Sequence, residues 1–398
     1  MNGMRFRCQK ASRAVQQDKI GLYLSKKGWI RLTKLLFLIH DLGHGGAEKV
    51  LVNLVNNMDP EQFDITVMAL FGGGVNEQFL KSHIHYQTVF KRAFPGNSHV
   101  MKLVSPRTLH KWFIKERYDI EVSYLEGPSA RIISGCPHQD TKLLSWIHCT
   151  MATAEETALG FRSVKEAAAG YNKMDTMVFV SETARDIFLK NCSYTGKTAV
   201  LYNTNESEEI LRKASEDAKL SEGKFCWCGV GKLAQIKGYD RMIRIQKRLT
   251  DEGYKTHFYA LGEGKQRAEL EALVKELGLE ESVTFLGYQT NPYKYVAKCD
   301  LFVCASFAEG FSTAATEALI VGTPVCTVEV SGMKEMLGEH NENGIVTEND
   351  EEDLYQGIKK LLDNPDLLEH YRHQAALRGK DFRTEETVKA VEAMLMEL

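Results

Sequence analysis

Residues 301–319 read LFVCASFAEGFSTAATEAL. Leu301, Phe302 and Val303 form a short continuous apolar run, as expected of a parallel strand buried on both faces. The alanine-rich segment after Ser312 favours helix, and Glu309-Gly310-Phe311-Ser312 supplies a glycine turn between the two. A strand end, a glycine turn and a helix start make the crevice in which open α/β sheets bind ligands. Glu309 and Glu317, with seven residues between them, flank that turn. By themselves they are equally a loop glutamate and an exposed helical one. In a partly dry crevice, a carboxylate so placed accepts hydrogen bonds from sugar or ribose hydroxyls.

The same alternation extends on both sides. Upstream, a strand over Phe225 to Val230 runs into GKLAQIKG at 231–238, where Lys232 and Lys237 bracket a loop at a strand end. These lysines are either solvated charge or a clamp on a diphosphate, which ammonium groups and helix-start amides together suit. Strands are also expected over His257 to Leu261, Val283 to Leu286 and from Val325, with helices filling residues 351–398. In the first half, the apolar run Leu35 to Ile39 enters a loop containing Gly45 and Gly46, then Ala47 to Val55 with helical periodicity. Glycines there allow close backbone approach, and free amides at the helix start favour an anion. Further strands read at Ile65 to Leu70, Ile120 to Tyr124, Leu143 to Ile147, Met177 to Val180 and Ala199 to Tyr202. His148, in WIHCT, falls just past a strand end and is either structural or turned to the crevice. Strands alternating with helices predict a doubly wound parallel sheet in each half. Polar residues around 203–207 mark the junction.

Composition agrees with a two-domain globular chain. Its 398 residues exceed one ordinary core, and 43% hydrophobic and 26% charged residues are ordinary values. The nine cysteines sit mostly in apolar runs without zinc spacing, and read as thiols of a reducing cytoplasm. The net charge of −3 hides a basic start: nine Lys and Arg against Asp18 within the first 34 residues. The rest of the first half is neutral, which gives no nucleic-acid footprint. Ile20, Tyr23, Leu24, Trp29, Ile30 and Leu32 interleave with these cations. Residues 1–33 therefore read as a membrane-interfacial segment or as an unstructured leader. No apolar run is long enough to span a bilayer.

From about Lys34 onward the chain resembles the retaining glycosyltransferase family 4, of the GT-B fold. The resemblance rests on GGAE at 45–48, the histidine of WIHCT, GKLAQIKG at 231–238, LGEG at 261–264, FLGY at 285–288, EGFSTAATEAL at 309–319 and GTP at 322–324. SYLEG at 123–127 together with WIH looks most like bacterial members that build lipopolysaccharide cores, capsules and other surface polysaccharides.

The resemblance implies two Rossmann-like domains facing a cleft. An acceptor-side domain over 34–206 and a nucleotide-sugar domain over 207–382 are expected, with a C-terminal helix in 383–398 packing back on the first domain. Glu309 is expected to bind the donor sugar and Glu317 the ribose. Lys232 and Lys237 would neutralise the diphosphate, with Gly45, Gly46 and Gly231 approaching it through backbone. Amides around Gly310, Phe311 and Ser312 would meet the sugar or its phosphate, and His148 would stand near the reacting sugar. Two departures from the family pattern are Lys232, where arginine is commoner and would give a bidentate fork, and Asn203-Thr204-Asn205 at the hinge.

The expected reaction transfers a hexosyl unit from a nucleoside-diphosphate sugar, a UDP-sugar foremost, to a glycan or lipid-linked acceptor. It would proceed in the cytoplasm, at the inner face of the membrane, with retention. No DxD-type metal motif occurs, so no metal and no cofactor are expected. The alternative is a non-catalytic GT-B subunit of a glycosylation complex. Such a protein should have lost site charges, whereas Lys232, Lys237, Glu309, Glu317 and His148 are all present.

Overall fold

The computed structural model describes residues 22–25, 28–43, 45–94 and 96–398. Two parallel sheets carry the fold, each built from strands that the apolar runs foreshadow. The first has seven strands: β3 (Thr33–Ile39), β4 (Phe63–Phe71), β5 (His85–Phe90), β6 (Ile120–Ser123), β7 (Lys142–Ile147), β8 (Thr176–Phe179) and β9 (Lys197–Val200). The second has six: β10 (Phe225–Val230), β11 (Thr256–Leu261), β12 (Val283–Gly287), β13 (Leu301–Cys304), β14 (Val325–Val328) and β15 (Ile345–Thr347). Leu35 to Ile39 in β3 and Leu301 to Val303 in β13 are buried, because helices cover both faces of each sheet.

The strand orders are β5-β4-β3-β6-β7-β8-β9 and β12-β11-β10-β13-β14-β15. In each sheet the chain moves outward in one direction and then returns to the other side of its first strand. The order therefore reverses between β3 and β6, and between β10 and β13. Ligands of doubly wound sheets bind at such reversals, beyond the strand carboxyl ends. The loops after these four strands hold Gly45 and Gly46, SYLEG, Lys232 and Lys237, and Glu309.

Helix α1 (Gly46–Asn57) follows β3 without a side-chain cap at its start. Helices α2 (Asn97–Leu103), α3 (Pro106–Phe113) and α4 (Pro128–Ile133) pack Met101, Leu109, Ile132 and Ile133 into a core cluster with Leu36 and Leu38 of β3 that is made of first-domain residues alone. The last helix, Thr384–Met396, crosses back to α1. Val388, Val391 and Leu395 are buried there, and the Asp59 amide donates to the Glu392 carboxylate at 2.6 Å.

Two edge strands and a hairpin differ from the sequence reading. The edge strands β5 and β15 carried no clear signal: β5 is largely exposed and β15 has three residues. Part of the basic leader is paired backbone, since β1 (Leu22–Ser25) and β2 (Gly28–Arg31) form an antiparallel hairpin. Arg31 is tied to Asp119 at 2.5 Å. The expectations for residues 1–21, 26 and 27 lie outside the described residues.

Candidate active site

A cleft of about 440 Å³ lies between the sheets, in the size range of small-molecule sites. Its walls include His148 and Gly46 from the first domain and Gly231, Lys232, Lys237, Glu309, Gly310, Phe311, Ser312 and Glu317 from the second. Gly45 is the exception among the expected residues. It is the residue capping α1, one position outside the wall, and Gly46 with Ala47 takes its place.

The loop after β10 turns at Gly238, whose φ of +64° and distance of 2.2 Å from a would-be Cβ to the Ala305 carbonyl oxygen leave room only for glycine. That turn directs Lys237 back across the strand ends. Its Nζ lies 2.5 Å from Glu309 Oε1, which also accepts from the Ser306 hydroxyl at 2.7 Å. Lys232 stands exposed on the same wall. Glu317, on the helix Thr313–Ile320, meets Lys49 Nζ at 3.1 Å and accepts from the Tyr293 hydroxyl at 3.1 Å. The Glu317 carboxylate raises the Lys49 ammonium above its ordinary range, and burial beside that carboxylate pushes Tyr293 up to about 12.

Lys49 was not singled out from the sequence. It follows GGAE directly on the first turns of α1, and only the approach of the two sheets shows that this turn faces Glu317. Both cleft carboxylates thus hold a lysine, one from their own domain and one from across the cleft.

His148 is brought to the first-domain wall by β7. Its ring packs on Tyr124 at 4.6 Å and on Trp146 at 6.1 Å, and its Nε2 is buried without a partner. Burial lowers its pKa to about 3, so the imidazole is neutral near pH 7 and serves as a hydrogen-bonding group. Glu126, the glutamate of SYLEG, fixes this turn: its carboxylate accepts from the His148 amide at 3.1 Å and from the Cys149 thiol at 3.0 Å. The sequence showed Glu126 as part of a motif without a role.

The two walls touch at Gly310, where a Cβ would sit 2.2 Å from the His148 carbonyl oxygen. Phe311 lines the wall, and its ring stacks on Tyr202 at 5.0 Å. The Ser312 hydroxyl accepts from the Ala315 amide at 3.3 Å and caps the following helix. The cap takes up one lone pair of that hydroxyl and does not involve the Ser312 amide, the group expected to meet the donor. Asn203 of the hinge also lines the cleft, with its side-chain Oδ1 buried and unpartnered.

Among the described residues, His110, Glu121 and Cys136 form a group whose ligand atoms lie close enough to share a metal ion. None of them lines the cleft. His110 Nε2 and Glu121 Oε2 satisfy each other at 2.8 Å.

Two family models match consecutive parts of the chain: Glycosyltransferase Family 4 over residues 44–205 and Glycosyl transferases group 1 over residues 212–378. A Campylobacter jejuni enzyme, N-acetylgalactosamine-N,N'-diacetylbacillosaminyl-diphospho-undecaprenol 4-alpha-N-acetylgalactosaminyltransferase, is 31% identical over 361 residues, covering 88% of this chain and 96% of that one. The lipopolysaccharide core biosynthesis glycosyltransferase LpsD of Rhizobium meliloti is 24% identical, with 90% and 96% covered. Among solved structures, Anabaena HepE in complex with UDP superposes with a TM-score of 0.74 at 20% identity, covering 92% of this chain and all of that one. These likenesses, with the two reversed-order sheets and the cleft between them, establish that the chain is a glycosyltransferase belonging to family 4, with the GT-B fold.

Proposed function

We propose that this enzyme transfers a hexosyl unit from a UDP-sugar to a hydroxyl of a glycan or lipid-linked oligosaccharide in surface-polysaccharide synthesis, retaining the anomeric configuration. The observation that carries the donor assignment is the pairing of each cleft carboxylate with a lysine, Lys237 with Glu309 and Lys49 with Glu317. A ligand with hydroxyls at both ends and a diphosphate between them suits such a set. Hydroxyls exchange onto the carboxylates, while phosphate oxygens exchange onto the ammonium groups, so no buried charge is left unpaired.

Two likenesses support the acceptor and nucleotide. The Campylobacter relative is named for a diphospho-undecaprenol-linked acceptor, and HepE was crystallised with UDP. In this reading Glu309 binds the donor sugar and Glu317 the ribose, as sequence resemblance implies. The diphosphate leaves with growing negative charge, which Lys232, Lys237 and the open helix starts stabilise. The bond from C1 to the phosphate oxygen breaks, the acceptor oxygen bonds to C1 on the same face, and its proton passes to the departing phosphate. Neutral His148 holds a sugar hydroxyl without supplying charge. Positive charge comes from side chains, so the reaction is expected to run without a metal ion.

A panel of nucleoside-diphosphate sugars, assayed for nucleotide release in the presence of a chelator, tests the proposal. Release from a UDP-hexose is expected. Release only after magnesium or manganese is restored would overturn metal independence, and absence of release and binding for every donor would overturn the donor assignment.

A further inference from the structure

Residues 78–115 contain seven Lys and Arg and no Asp or Glu. The neutral charge of the first half after its leader conceals this stretch, because acids elsewhere balance it. Lys91, Arg92, Arg107, Lys111 and Lys115 are all exposed. Among them stand large apolar side chains that a water-facing surface has no use for: Leu103 is 81% exposed, Trp112 54% and Val100 52%. Val100 and Leu103 are three apart on α2 and share its outer face, while Met101 between them is buried.

This exposure is built into the fold. Arg131 of α4, itself 1% exposed, donates to the Met101 carbonyl at 2.9 Å and to the Val104 carbonyl at 2.8 Å. Arg162 donates to the carbonyls of Lys102 and Leu103. Two arginines thus satisfy the free carbonyls at the end of α2 and hold Leu103 outward. The Arg162 contact also brings the loop of Leu159, 59% exposed, and Val164, 37% exposed, beside Leu103. That loop abuts the cleft wall, since Gly160 packs so closely on Gly127 that a Cβ would lie 2.4 Å from its carbonyl carbon. Gly127 follows Glu126, which holds His148.

We propose that this surface, formed by α2, α3 and the Leu159–Val164 loop, docks on an anionic lipid bilayer and presents the acceptor side of the cleft to a membrane-held acceptor. The acceptor half of this statement rests on the lipid-linked reading above. Exposed aliphatic and indole side chains amid unopposed cations fit a bilayer interface, where apolar groups enter the headgroup boundary and cations meet anionic lipid. A polyanion such as nucleic acid would use the cations but not Leu103 and Val100. Docking here differs from docking through the basic leader.

The test is co-sedimentation of the full chain with vesicles of phosphatidylcholine alone or mixed with phosphatidylglycerol, without donor or acceptor. Binding is expected only to the mixed vesicles and is expected to weaken with salt. Leu103→Glu should cut the bound fraction roughly tenfold and Lys111→Glu by a smaller factor. Both should leave transfer to a short water-soluble acceptor at the wild-type rate. Wild-type binding by Leu103→Glu would overturn the proposal, as would loss of binding from Lys26→Glu/Lys27→Glu with Leu103→Glu still bound, or duplex DNA bound as tightly as vesicles. Vesicle binding by a chain that transfers no sugar would break the proposed function and leave the docking surface standing.

Discussion

The cleft contains two lysine–carboxylate pairs with the same chemistry and different construction. Lys237 and Glu309 both belong to the second domain, on loops after neighbouring strands β10 and β13, so their pair persists whatever the first domain does. Lys49 and Glu317 come from opposite domains, and their pair exists only while the cleft is closed. The first pair is part of a preformed binding wall. The second also joins the domains, together with Glu335, whose carboxylate accepts from the Glu182 and Thr183 amides at 2.7 and 2.9 Å. One pair should therefore govern donor affinity and chemistry, and the other the balance between open and closed enzyme.

Breaking the first pair should have the largest effect. On the proposed donor placement, Lys237→Ala would remove a charge-assisted contact to the diphosphate, an expected loss on the order of 2 kcal/mol, or about thirtyfold, in nucleoside-diphosphate affinity. Glu309→Gln should leave nucleotide affinity closer to wild type and lower kcat, because the proposed placement sets it against the sugar; equal losses of UDP binding in both variants would erase that division. Lys49→Met is expected to cost less, about 1 kcal/mol or a fewfold in donor affinity, since half-exposed ion pairs are worth little in themselves. Its signature is a larger radius of gyration of the ligand-free enzyme by small-angle scattering, which Lys237→Ala should not show.

The pH dependence sharpens the view of the first-domain wall. His148 and His257 have pKa values lowered by burial to about 3 and about 4, below the ordinary histidine value near 6.5. Below pH 6.5 the unfolded chain takes up protons that the folded chain refuses, so stability is complete above that pH and falls as pH drops toward 4. Each histidine contributes a slope of up to about 1.4 kcal/mol per pH unit. Chemical denaturation of His148→Gln between pH 4 and 7 should show a shallower slope than wild type, with His257 and the shifted carboxylates among the groups that supply what remains. The smallest effect is expected for Glu126→Gln, which keeps one oxygen to accept the His148 amide and should change kcat by less than Glu126→Ala does.

How far the sequence was legible follows the same division. Buried parallel strands announce themselves as apolar runs, so β3, β10, β13 and the lysine and glutamate loops after them could be placed within a residue or two. Two of the four edge strands could not, because β5 and β15 have too little buried surface to leave a pattern, whereas the edge strand β12 was legible within a residue. Lys237 and Glu309 were recognisable since a strand end and a glycine turn lie beside each in the chain. Lys49 and Glu126 act through partners 268 and 22 residues away, contacts that appear only once the two sheets face one another. The acid-free stretch over 78–115 was visible in the sequence, but averaging charge over half the chain hid it.

On the proposed function, the lysines and carboxylates of the cleft form a metal-independent site for a nucleoside-diphosphate sugar. Calorimetric titration of the full chain with UDP in the presence of a chelator tests it most directly, beside Lys237→Ala under the same conditions. The expected result is saturable binding by the wild type and about thirtyfold weaker binding by the variant. Equal affinities in the two proteins, or no wild-type binding until a divalent metal is added, would contradict it.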